Sequence, residues 1–206
     1  MTSLAEAVTE DPRRARIFEA YGLDFCCHGD RTIEEACAVV GIDAAEVKGA
    51  LDRLIGEPLA PADWTRLRMG ELVEHIQAVH HRYVRDELPR LAHLTDKVLA
   101  VHGDTHPELV QVARVFRDLA DELMPHLERE DLDVFPFVRA VAAGADPDPS
   151  QVDAARAWIA ELRAEHDHAG ELLALLRQAT GGYRVPADGC GSYRALYAGL
   201  AELEAD

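Results

Sequence analysis

Two stretches of the chain repeat apolar residues at three- and four-residue spacing and then place ionisable residues where the stripe continues. Val112, Phe116, Leu119 and Leu123 lead into His126 and Glu130, with Val134 and Phe137 beyond them. Val152, Ala155, Ile159 and Leu162 lead into His166, and the stripe resumes at Ala169, Leu173 and Leu176. This spacing marks amphipathic helices with one face in a core. Its phase aims two histidines and a carboxylate at a hydrophobic interior, where each would cost several kcal/mol unpaired. A cation shared among them satisfies all three.

The same periodicity organises the rest of the chain. Four long helical stretches are expected, at about 68–92, 107–142, 150–180 and 192–206, with Gly103, Gly144, Gly181 and Gly182 in the connections. No segment reads as a strand. Long amphipathic helices on short connections pack antiparallel, so the expected fold is all-α, an up-down four-helix bundle with a short last helix. Pro125 and Pro136 should kink or loosen the second helix on either side of the ionisable positions. Residues 1–56 read as a small domain of short helices, where Thr32 with Glu35 and Asp43 with Glu46 fit the capping-box pattern. Glu57-Pro58-Leu59-Ala60-Pro61 begins a proline-stiffened linker over 57–66, and the bundle occupies 67–206.

Composition narrows the function classes. The 206 residues are 48% hydrophobic and 29% charged, as in a soluble globular protein. No apolar run approaches the roughly 20 residues that span a bilayer, and the acidic, polar start is unlike a signal peptide. The expected setting is cytoplasmic, with no membrane partner. A net charge of −17 disfavours nucleic acid and favours cations. Cys26, Cys27, Cys37 and Cys190 are too few and too irregular for a disulfide scaffold, so reduced thiols are expected.

Ligand candidates follow from helix geometry. Residues four apart project together, so His126 and Glu130 can reach one metal or bridge two. The spacing alone fits a salt-bridged surface pair equally well; the stripe phase favours a buried site. His166 continues its stripe, whereas His168 is turned about 200° away and should face solvent. Periodicity does not choose between His80 and His81, and His102 and His106 read as ordinary histidines in the connection that follows. Nitrogen and carboxylate ligands without clustered thiolates suit iron, manganese or zinc, and in a helical bundle a non-haem dinuclear centre. The adjacent thiols Cys26 and Cys27 suit redox work, iron ligation, cluster transfer or simple core filling, and Cys37 belongs to an apolar stripe with Ile33 and Val40.

Several segments together resemble the iron–sulfur cluster repair proteins. They are Tyr21-Gly22-Leu23-Asp24-Phe25-Cys26-Cys27-His28-Gly29, Pro61-Ala62-Asp63-Trp64, His81 eight residues before Pro89, His126-Leu127-Glu128-Arg129-Glu130 with Phe135-Pro136, and Glu165-His166-Asp167-His168-Ala169-Gly170-Glu171-Leu172-Leu173. That family joins a small ScdA-type N-terminal domain to a hemerythrin-like di-iron bundle. The resemblance selects His81 over His80 and implies that His81, His126 and His166 are terminal iron ligands, that Glu130 bridges two irons, and that His102 supports the site from outside the ligand set. It implies repair of clusters damaged by nitric oxide or oxidants, by iron donation or by nitric oxide reduction. Damaged iron–sulfur proteins and nitric oxide or oxygen would be the partners, Cys26 and Cys27 the redox or transfer thiols, and a homodimer stays open. The alternative is a hemerythrin-type sensor or carrier of oxygen, nitric oxide or iron without turnover. Two positions depart from the family pattern. His28 stands where glycine usually follows the cysteine pair, and the family's second His-x-x-x-Glu pair, on the last helix, falls just past Asp206. The expectation is a truncated or frameshifted product, or a reduced metal site.

Overall fold

The computed structural model describes residues 3–11, 13–23, 25, 28–54 and 67–206. The expected linker, 57–66, and both Cys26 and Cys27 lie outside the described residues.

Four short helices come first: α1 (Leu4–Glu10), α2 (Arg14–Ala20), α3 (Ile33–Val40) and α4 (Ala44–Leu54). The expected capping box at Thr32 forms, its hydroxyl accepting from the Glu35 amide while the Glu35 carboxylate accepts from the Thr32 amide. A second box at Ser3 starts α1. Gly41 ends α3 at φ 76°, a left-handed cap that residues with a Cβ rarely adopt. Among the described residues there is no strand, only an isolated bridge between Ser3 and Thr32.

The bundle follows in four rods. The first joins α5 (Met69–Ile76), a π-helical turn (Gln77–His81) and α6 (Arg82–His102), and the second joins α7 (Glu108–Arg129), another π turn (Glu130–Val134) and α8 (Phe135–Ala142). The third and fourth are α9 (Pro149–Ala179) and α10 (Gly191–Ala205). α7 packs on both α6 and α9, α10 packs on α6, and a smaller contact between α10 and α9 closes the ring. The first rod runs about ten residues past its expected end because Leu91, Leu94, Thr95 and Val98 keep the buried stripe going. Pro89 sits inside α6 without ending it.

The core is continuous from the short helices into the bundle. Phe18, Phe25 and Val47 belong to the same buried cluster as Leu91, Phe116, Tyr193 and Leu200. Polar bridges add to it: Arg16 reaches Glu87 at 3.2 Å and also Glu202, and Arg90 reaches Glu19 at 3.1 Å and Glu87 at 2.7 Å. A separate small core of Val73, Val134, Phe135 and Leu162 forms where α5, the second π turn, α8 and α9 meet. The ligand candidates lie beside it.

Candidate metal centre

The stripe on α7 is buried as its spacing required. Val112, Phe116 and Leu119 are at most 1% exposed, and His126 is 5% exposed. Beyond Glu130 the register changes. A π turn adds a residue to the helical turn, so Val134 is followed inward by Phe135 rather than by Phe137, and Phe135 stacks on the His81 ring at 5.4 Å. On α9 the stripe holds at Leu162, Ala169 and Leu176 but fails earlier: Ile159 is 55% exposed and Trp158 turns inward instead.

His81, His126, Glu130 and His166 all line a cavity of about 410 Å³, together with apolar residues such as Val84, Leu119, Leu123 and Leu173. One oxygen, Glu130 Oε2, lies 3.0 Å from His81 Nε2 and 3.5 Å from His126 Nε2. His126, Glu130 and His166 can each offer a ligand atom within 4.8 Å of the others, and the rings of His126 and His166 are 4.6 Å apart. His166 is exposed at the cavity's edge rather than buried as its stripe position suggested. His168 points away, to Glu122 at 3.1 Å, as the phase argument required. His80 sits on the cavity's rim, bonded to Asp206, and His81 is 4% exposed inside it. His102 does not reach the site. It ends α6, some 30 Å from His81 at 1.5 Å per residue, with its ring edge-on to Tyr193.

The donor set fits a cation. His126 Nε2 is buried and has no hydrogen-bond partner, with Glu130 Oε2 3.5 Å away. A buried lone pair left unused is costly, and an ion between His126, Glu130 and His166 uses it. Three imidazoles and a carboxylate with no thiolate suit iron, manganese or zinc.

Sequence reasoning missed the groups behind the ligands. Asp131 Oδ1 accepts from His81 Nδ1 at 2.9 Å and from Gln77 at 2.6 Å, and its Oδ2 accepts from Arg85 at 2.5 Å. Glu165 Oε2 accepts from His126 Nδ1 at 2.7 Å while its Oε1 accepts from Arg129 at 2.6 Å. Burial pulls the His81 imidazole down, but the bonds from Glu130 and Asp131 outweigh it and leave the ring above its ordinary value. Burial raises the Asp131 carboxyl, and Gln77, Arg85 and His81 more than reverse that, so it ends below its usual range. The bond from His126, helped by Arg129, holds Glu165 low against the opposing effect of burial. The adjacency of Asp131 to Glu130 was a signal in the sequence; the partnership of Glu165 with a histidine on another helix was not. Cys37 fills core as expected, 1% exposed, with its thiol pushed up by burial.

Residues 72–205 match the hemerythrin HHE cation-binding domain, and residues 1–55 match the ScdA N-terminal domain, a domain of unknown function. The iron–sulfur cluster repair protein ScdA of Staphylococcus haemolyticus is 32% identical over 98% of this chain and 88% of its own length. The chain belongs to the ScdA/YtfE family of iron–sulfur cluster repair proteins. Its similarity extends to the YtfE repair protein of an Enterobacter species, 31% identical over 97% of this chain and 86% of that protein, and of Cronobacter sakazakii, 32% identical with the same coverage. All four candidate ligands of this ScdA/YtfE member fall inside the hemerythrin-type region. No described helix is long and apolar enough to cross a membrane.

Proposed function

We propose that His81, His126, Glu130 and His166 hold iron in the bundle cavity and that the protein uses it to repair iron–sulfur clusters damaged by nitric oxide or oxidants. The observation that carries the metal assignment is the buried, unpartnered His126 Nε2 beside Glu130 and His166. The repair role rests on the names of relatives that align over nearly the whole chain. Bound iron would supply either ions for cluster rebuilding or electrons for nitric oxide reduction. The residues do the rest. The imidazoles would hold the ion through ring nitrogens, Glu130 would add its carboxylate, and the apolar wall of Val84, Leu119, Leu123 and Leu173 would limit water around it.

The test is reactivation of an iron–sulfur enzyme inactivated by nitric oxide, using iron-loaded protein with and without a reductant. Reactivation is expected from wild type and not from His126→Ala/Glu130→Ala. Equal reactivation by both would refute the assignment. Loss of iron from the protein during reactivation identifies donation, and consumption of nitric oxide with iron retained identifies reduction.

A further inference from the structure

Two of the cavity histidines are held in the same way from behind. His81 Nδ1 lies 2.9 Å from Asp131 Oδ1, and the other oxygen of that carboxylate is taken by Arg85 at 2.5 Å. His126 Nδ1 lies 2.7 Å from Glu165 Oε2, and its other oxygen is taken by Arg129 at 2.6 Å. A carboxylate only accepts, so a neutral His126, whose Nε2 has no hydrogen-bond partner, must carry its proton on Nδ1 and turn the Nε2 lone pair toward the cavity. His81 faces a carboxylate at both nitrogens, and of the two it is Asp131, tied down by Arg85, that stays on Nδ1 when Glu130 turns to a cation. The arginine in each chain occupies the carboxylate oxygen that could otherwise swing round and bind the cation itself.

The backbone is arranged to permit this. Glu130 and Asp131 are consecutive, yet they contact opposite nitrogens of the same ring, Glu130 on Nε2 at 3.0 Å and Asp131 on Nδ1 at 2.9 Å. Both residues lie in the widened π turn Glu130–Val134, and His81 ends the other one, Gln77–His81. In a regular α-helix, consecutive side chains diverge by about 100°. The π turn is a departure of the kind that recurs at functional sites. Stacking of Phe135 on the His81 ring fixes the ring plane as well.

We infer that Asp131 and Glu165 are positioning residues, each clamped by an arginine: Glu165 fixes His126 as the Nδ1–H tautomer, Asp131 holds His81 by its Nδ1–H, and both rings present Nε2 to the metal. This rests on the metal reading above, and the closing experiment separates the two. Ring nitrogens of the histidines are observed by ¹⁵N NMR in metal-free protein at alkaline pH. The same proteins are titrated with ferrous iron alone. Wild type should show Nδ1–H at both residues. Asp131→Asn should disturb the tautomer of His81 and leave His126 unchanged, and Glu165→Gln should do the reverse. Each variant should bind ferrous iron about 10- to 100-fold more weakly at unchanged stoichiometry. Helix content by circular dichroism establishes that the variants fold. Nε2–H tautomers in wild type, or unchanged affinity in both folded variants, would overturn the inference. Nδ1–H tautomers in a wild type that takes up no iron would sink the metal reading and uphold the tautomer lock.

Discussion

Replacing Gly199 with alanine tests how tightly α10 is pressed on α6, the helix that follows the candidate ligand His81. A Cβ at Gly199 would lie 2.6 Å from Leu91 Cδ2 and 3.0 Å from both Glu87 Oε1 and Arg90 Nη2. The first two of these side chains have little room to move. Leu91 is fully buried, and the Glu87 carboxylate is held by Arg90 at 2.7 Å and by Arg16 at 3.2 Å. Forcing a methyl group into such a contact costs about 1–3 kcal/mol, while alanine gains about 1 kcal/mol over glycine in helix propensity. The net effect is a loss of up to about 2 kcal/mol. At roughly 2–4 °C per kcal/mol for a chain of this length, the thermal midpoint falls by up to about 8 °C. Thermal unfolding followed by circular dichroism reads this directly. The same substitution in a Leu91→Ala background should cost less, because the closest of the three contacts is gone. A rise in midpoint on Gly199→Ala alone, or an equal cost with and without Leu91, would refute the argument.

His126→Ala and His166→Ala should each lower bound iron more than His168→Ala, because the first two face the cavity and the third faces Glu122; metal analysis of the three variants checks this, and equal loss in all three contradicts the phase argument. At the far end of the bundle the bond to Asp188 raises the His106 imidazole above its ordinary value. A raised imidazole stabilises the fold below its unfolded value of about 6.5, and the contribution is lost as pH rises through the folded value. The midpoint gap between wild type and Asp188→Asn should therefore be widest just below about pH 6.5 and close at higher pH; a gap independent of pH rules the pairing out. Cys26→Ser with Cys27→Ser should leave bundle iron intact and weaken cluster repair in the reactivation assay, and loss of iron from that variant would place the thiols in the metal site.

Much of the fold was legible because burial imposes a period on sequence. The stripe from Val112 through His126 to Glu130 holds its phase over the whole of α7, and the N-terminal cap at Thr32 depends on residues three apart in sequence. The failures have physical causes. A period of 3.6 residues carries no trace of a π turn, so Phe135 was passed over for Phe137. Near the start of α9 it is Trp158, not Ile159, that packs against the small core of Val73, Val134, Phe135 and Leu162. The resemblance puts His102 near the site, whereas α6 carries it to the opposite end of the bundle. Asp131, Glu165, Arg85 and Arg129 act across helices or behind the ligands, and no local pattern records which histidine a carboxylate will meet.

The central claim is that one cavity, lined by His81, His126, Glu130 and His166, holds iron. The most direct measurement is anaerobic titration of metal-free protein with ferrous iron, followed by desalting and metal analysis, on wild type and on His126→Ala/Glu130→Ala with helix content checked in parallel. Wild type should retain stoichiometric iron and the folded double variant should retain almost none. Iron held equally by both, or by neither, would contradict it.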